Sequence, residues 1–105
     1  MSRLTLLTRV KDDKGEEITI GVNRLAYDAH AGTYEFAVVV ADAWQGSGVG
    51  SILMDKLLHV ARDRRIKSVY GLVLPRNRKM LALAEKFGFH VVGRDEDAVT
   101  IRVEL

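Results

Sequence analysis

The sequence predicts a mixed α/β fold, a mostly antiparallel sheet carrying two helices, and three observations carry that prediction. Apolar residues alternate with polar ones near both ends of the chain, at 18–23 and 99–105, which is the period of a strand with one covered face. Two stretches, 49–61 and 80–87, place apolar residues at helical spacing. Between them a strand, a helix and a second strand follow one another, an order that makes a parallel pair. With 105 residues, 48% of them hydrophobic and 29% charged, the chain has enough apolar material for one core and one domain over 1–105.

Residues 4–10 read as a strand, and Asp12, Asp13, Lys14 and Gly15 are turn chemistry that folds it back into 17–27. Ile18, Ile20 and Val22 alternate with Thr19, Gly21 and Asn23, which predicts the first set buried and the second exposed. After a loop at 28–32, the near-continuous apolar run of 33–41 predicts a central strand covered on both faces. Ile52, Leu53, Leu57, Val60 and Ala61 make the apolar stripe of the first helix, with Ser51, Asp55, His59 and Arg62 outward. Residues 68–74 form the next strand, and Pro75, which has no N–H to donate, ends it. Asn77 is placed to cap a second helix whose stripe is Met80, Leu83, Ala84 and Phe87, and Gly88 suits its left-handed end. A last hairpin pairs 89–92 with 99–105 around Asp95, Glu96 and Asp97.

Chemistry concentrates where the strand 33–41 meets the first helix, in Gln45-Gly46-Ser47-Gly48-Val49-Gly50. Glycines let the backbone turn sharply and approach a ligand, and the free N–H groups of a helix starting near Gly48 favour a pyrophosphate. A dinucleotide-binding turn would need a third glycine where Ser51 stands, and no ribose-binding acid follows a second strand at the right distance. The spacing is Gln-x-x-Gly-x-Gly instead.

That spacing behind Val38-Val39-Val40 resembles the acetyl-CoA motif of the Gcn5-related N-acetyltransferases. The resemblance continues through Asn77-Arg78-Lys79-Met80 and Leu83-Ala84-Glu85-Lys86-Phe87-Gly88-Phe89, and covers roughly half the chain, residues 34–92. In wording the segment is most similar to the acetyltransferase domain of bacterial protein-lysine acetyltransferases. It implies acetyl-CoA or CoA as cofactor, bound by the backbone of Val38, Val39 and Val40, by the turn residues Gln45, Gly46, Ser47, Gly48, Val49, Gly50 and Ser51, and by Asn77 and Met80. The implied fold is the acyl-CoA N-acyltransferase fold lacking its first strand and helices, the segment that usually frames the acceptor site.

The reaction implied is direct transfer of an acyl group to a primary amine, a protein lysine above all. An amine attacks only when neutral, and lysine's ordinary pKa of about 10.4 calls for a base. Glu35 is the one acid on the central strand, and the resemblance places the family's general base there. The tyrosine that protonates the leaving thiolate in many members is replaced by Ala84. A thiol pKa near 8.5 lets solvent do that work. The short N-terminus and Ala84 favour a second reading, a catalytically weak acyl-CoA-binding or regulatory module that needs a partner.

Other classes fall away. With no cysteine there is no disulfide framework, thiolate metal site or cysteine nucleophile. His30, His59 and His90 lack metal-ligand spacing. No stretch approaches the ~20 apolar residues of a membrane span, and the N-terminus is no signal peptide, so a cytoplasmic protein is expected. A net charge of +2 without aromatics interleaved among the cations argues against nucleic acid. The cations gather in two sets, Arg62, Arg64, Arg65 and Lys67 at the end of the first helix and Arg76, Arg78 and Lys79 at the start of the second. The first set complements a helix dipole; the second opposes one unless an anion sits nearby. Trp44 reads as a packing residue for the turn. A homodimer is expected, covering apolar surface bordered by Leu4, Leu6, Ile18, Ile20 and Val22.

Overall fold

The computed structural model describes residues 3–105. Six strands form one sheet in the order β1-β2-β3-β4-β6-β5, where β1 is Arg3–Lys11, β2 Glu17–Asp28, β3 Thr33–Val40, β4 Ser68–Val73, β5 His90–Arg94 and β6 Val99–Glu104. Helix α1, Val49–Asp63, links β3 to β4, and α2, Arg78–Lys86, links β4 to β5. Every neighbouring pair is antiparallel except β3 and β4, which α1 returns in parallel. This is the mixed, mostly antiparallel α/β architecture that the sequence predicts.

Local signals decide the ends of these elements. Asp12 Oδ1 accepts from the N–H groups of Lys14 and Glu16, closing the first turn with Gly15 at φ 78°. Asn77 Oδ1 accepts from Met80 N at 3.2 Å and starts α2 as its cap. Gly88, at φ 92°, ends it.

One core lies between the helices and a single face of the sheet. Leu25, Phe36, Val69, Val73, Val99, Ile101 and Val103 from the strands meet Met54, Leu57, Leu58 and Ala61 of α1 and Ala84 of α2. A smaller cluster of Ile20, Val49 and Leu53 packs under the start of α1 with Trp44 against it, so the tryptophan does pack the turn. On the opposite face no helix covers the described strands. Ala37 is exposed there and Val39 is 62% exposed, so β3 is covered on one face only. Its unbroken apolar run does not mean two covered faces, because α1 and α2 share the same side.

The alternation of β2 also resolves differently from its sequence pattern. Pairing with β1 runs from Thr8 with Gly21 directly to Arg9 with Thr19, leaving Ile20 without a β1 partner. This bulge puts Ile20 and Gly21 both in the interior and turns Gly21, Asn23 and Leu25 toward α1, while Ile18 is exposed. Asn23 enters the core because its Nδ2 donates to Leu53 O at 2.7 Å. In α1 the stripe is Leu53, Met54, Leu57, Leu58 and Ala61, and Ile52 is exposed instead. The apolar surface expected around Leu4, Leu6, Ile18, Ile20 and Val22 is therefore not the exposed one: Ile20 is buried and Leu4 packs on the core. Exposed apolar side chains of the helix-free face are Leu7, Val39 and Leu72.

Gly71 on β4 makes room for the Phe36 ring. A Cβ there would stand 2.2 Å from Phe36 Cε1 and 2.7 Å from Cζ. Phe36 is buried and held by Phe89 at a ring distance of 5.1 Å, so it has little space to yield. Gly71→Ala is expected to destabilise the protein by about 1–3 kcal/mol, the range for overpacked cores, measured as a lower urea midpoint with an unchanged slope.

Candidate functional site

The site is built where β3 and β4 part company. Their pairing consists of two positions, Tyr34 with Val69 and Glu35 with Tyr70. Beyond them β3 stays paired with β2 as far as Val40, and β4 stays paired with β6 as far as Val73. A wedge opens between the two strands. Glu35 stands at its apex, and Ala37, Val38, Leu72, Asn77 and Met80 line its sides.

A second groove, of about 290 Å³, adjoins the wedge through the shared residues Val38, Asn77 and Met80. It runs along Val38, Val39 and Val40 to Gln45, Gly46 and Gly50, with Lys79 and Leu83 of α2 on the far side. The turn between β3 and α1 is held by local bonds. Trp44 N donates to Ala41 O at 2.8 Å, the Ser47 hydroxyl donates to Trp44 O, and the Gln45 side-chain amide donates to Val40 O at 3.2 Å. Gly46 and Gly48 take left-handed φ values of 79° and 89°, and a Cβ on either would meet nothing within 4 Å, so that side of the turn is open space.

Helix α1 begins there without a side-chain cap and without an acid in its first turn. The N–H groups of its first turn and the positive end of its dipole therefore face the open side of the turn. At Gly50 a Cβ would come 3.2 Å from Leu83 Cδ2, so glycine is what lets α1 and α2 approach at the groove.

Most of the sequence-predicted residues come together. Val38, Val39, Val40, Gln45, Gly46, Gly50, Asn77 and Met80 line the groove, and Glu35 lines the adjoining wedge. Gly48 is the residue just before α1 and supplies its left-handed turn. Ser47 spends its hydroxyl on Trp44 O, and Val49, 7% exposed, packs with Ile20 and Leu53, so neither side chain lines the groove; nor does that of Ser51. Lys79 and Leu83 are additions. The cluster of cations at the start of α2 pointed to Lys79, whereas Leu83 reads in sequence as an ordinary core position.

Residues 3–89 match the sequence model of the acetyltransferase (GNAT) family. The chain belongs to that family. It is 36% identical over 88 residues to an acetyltransferase of Pseudomonas aeruginosa, an alignment that covers 84% of this chain and 47% of the relative. The chain thus spans about half the length of that curated relative. Among solved structures, the GNAT domain of S. lividans PAT superposes with a TM-score of 0.82 at 28% identity, covering 99% of this chain and 61% of that one. The PaiA N-acetyltransferase of Thermoplasma acidophilum, solved in complex with coenzyme A, shares the fold with a TM-score of 0.78 at 15% identity, covering 100% of this chain and 62% of that one.

Within this GNAT site, Ala84 is 1% exposed in the core, so its position offers no side chain to the groove. The phenol beside Glu35 belongs to Tyr70 on β4, whose hydroxyl donates to Asp28 Oδ2 at 2.5 Å. That bond, with some burial and the nearby charges of Glu35 and Asp28, pushes the Tyr70 pKa up to about 12. The same bond, with the N–H groups of Ala31 and His30, holds Asp28 below its usual range. Tyr70 is thus a fixed donor.

For a group whose folded pKa is raised, the stabilisation is complete below the unfolded value near 10 and is lost as pH climbs through about 12. Absorbance titration at alkaline pH is expected to show the Tyr70 phenol titrating late. Asp28→Asn should move it back toward 10, and a titration unchanged by that substitution would mean that Asp28 does not hold the phenol.

Proposed function

We propose that the protein is an N-acetyltransferase that binds acetyl-CoA in the groove between β3, the glycine turn and α2 and passes the acyl group to a primary amine. The observation that carries this reading is the continuity of the groove from the uncapped start of α1 to Glu35. Left-handed glycines with open space on the ligand side, free helix N–H groups and Lys79 suit a pyrophosphate. The part of β3 that lacks a β4 partner suits the amides of an extended arm, as another strand would. Acetyl-CoA supplies an activated acyl group as its thioester.

Glu35 takes the proton of the attacking amine. It sits where the wedge closes, on the face that no helix covers among the described residues, so an acceptor can reach it from outside. A protein lysine is the acceptor class proposed, on the likeness in wording to protein-lysine acetyltransferases and on the open approach to Glu35. The homodimer reading rests on Leu7, exposed on that same face on the edge strand β1 and outside the groove and the wedge, which a second copy would cover. Light scattering coupled to gel filtration checks it, and a monomer of 11.7 kDa at working concentration would remove it.

Gly48→Asp adds a side chain and a negative charge where the phosphates are placed, and strains a left-handed backbone. Calorimetry is expected to show CoA binding to the wild type and its loss in a folded Gly48→Asp. Glu35→Gln keeps the shape but accepts no proton, so the transfer rate should fall by about 10²–10⁴-fold with CoA affinity nearly unchanged and the deficit shrinking at high pH. If CoA binds and Glu35→Gln transfers as fast as the wild type, the base assignment is wrong. If CoA binds and no amine is acylated, the second reading, an acyl-CoA-binding module, takes its place.

A further inference from the structure

Both helices end on the same backbone motif, with different residues at its left-handed position. At the end of α2, Gly88 N donates to Glu85 O and Phe89 N to Ala84 O, each at 3.0 Å. At the end of α1, Arg65 N donates to Arg62 O at 2.9 Å and Ile66 N to Ala61 O at 3.0 Å. Glycine is favoured in this place because it has no Cβ to crowd the following carbonyl. Arg65, at φ 59°, is the one residue other than glycine with positive φ among the described residues. The helix dipole favours a cation nearby, but Arg62 already stands in the last turn. Neither effect accounts for an arginine at the strained position.

What Arg65 does border is a pocket of about 270 Å³, with Arg64 and Lys67 beside it, Tyr27 as one wall, and Thr33 and Ser68 at the base. The base is rigid: Thr33 Oγ1 donates to Ser68 O at 2.7 Å and lies 2.6 Å from Ser68 Oγ, which accepts from Arg102 Nη2 at 3.0 Å. Thr33 and Ser68 are both buried. Among the described residues no ion pair engages Arg65 or Lys67, and the acid adjacent in sequence, Asp63, faces His59. Arg65 and Lys67 therefore bring charge to the pocket that none of these pairs neutralises.

We propose that this pocket binds a small phosphate monoester, at a site separate from the groove at the glycine turn. The two lie at opposite ends of the 15-residue α1, about 20 Å apart at 1.5 Å per residue. Guanidinium and ammonium groups bordering one pocket match the several oxygens of a phosphate better than the single edge of a carboxylate. The volume sits at the lower end of small-ligand pockets, and the half-exposed Tyr27 ring provides a flat wall for the group that bears the phosphate. The cations are gathered in one spot instead of strung along a stripe, which suits a small ligand over a nucleic-acid backbone.

Amide chemical-shift titration tests this with inorganic phosphate and a nucleoside monophosphate as probes, chloride at matched ionic strength as control, and a duplex oligonucleotide as the rival. The expected result is saturable shifts at Thr33 and at residues 65–68 with the phosphate probes, retained in Gly48→Asp. Arg65→Gly should weaken that binding by about tenfold or more while raising Tm by a few degrees, because glycine relieves the left-handed strain. Lys67→Ala, with no backbone constraint, should weaken binding in the same direction and serves if Arg65→Gly does not fold. The proposal is overturned if chloride reproduces the shifts, if both variants bind phosphate as tightly as wild type, or if only the oligonucleotide binds. A lower Tm for Arg65→Gly would equally overturn it, by showing that the arginine serves the fold.

Discussion

A parallel pair in the middle of an otherwise antiparallel sheet has to begin and end somewhere, and in this protein it ends after Glu35 and Tyr70. Each strand then keeps only its outer neighbour, β3 with β2 and β4 with β6. Backbone amides and carbonyls need partners, so the inner edges of the wedge, in the middle of the sheet, are a place where an extended chain could be received. The same divergence places Glu35 at the apex and Val38 to Val40 along a wall, and it aims the chain at the turn that starts α1. The groove, the acid and the helix start are consequences of where a single ladder stops.

The two helices add charge and shape to that wedge. Leaving α1 with a glycine cap keeps its first N–H groups available, at a cost against a Ser or Asp cap of only about a few tenths of a kcal/mol. α2 makes the opposite choice: Asn77 caps it, and Lys79 faces the groove from its first turn, where a cation is unfavourable by itself. An anion in the groove would satisfy both ends at once. Gly50 and Leu83 show how closely the helices approach to make this possible.

On the far side of the sheet, polar groups are tied in short networks instead of one continuous relay. Asp28 holds Tyr70 beside Glu35, and Thr33, Ser68 and Arg102 form their own cluster, with Arg102 also on Glu104 at 2.8 Å. These bonds fix side chains on a face that no helix of the described residues shields. Rigidity there comes from hydrogen bonds, whereas on the helix side it comes from packing.

Much of this was legible along the chain because it is set by neighbours in sequence. The turn at Asp12 to Gly15, the Asn77 cap, the left-handed Gly88 and the glycine-rich start of α1 each depend on the residues within one or two positions, and each stands where its residue chemistry put it. The groove lining at Val38 to Val40, Gln45, Gly46 and Gly50 followed from the same motif. What tertiary structure alone decided was which faces are covered. An apolar run such as 36–40 reads the same whether one side or both are buried, and only the placement of α1 and α2 on a common face exposed Val39. The bulge at Ile20 reversed the faces of β2, because one unpaired residue shifts a period-two pattern and the sequence carries no mark of it. Tyr70 and Leu83 likewise reached the site through strand register and helix packing, contacts between residues distant in sequence that no local spacing encodes.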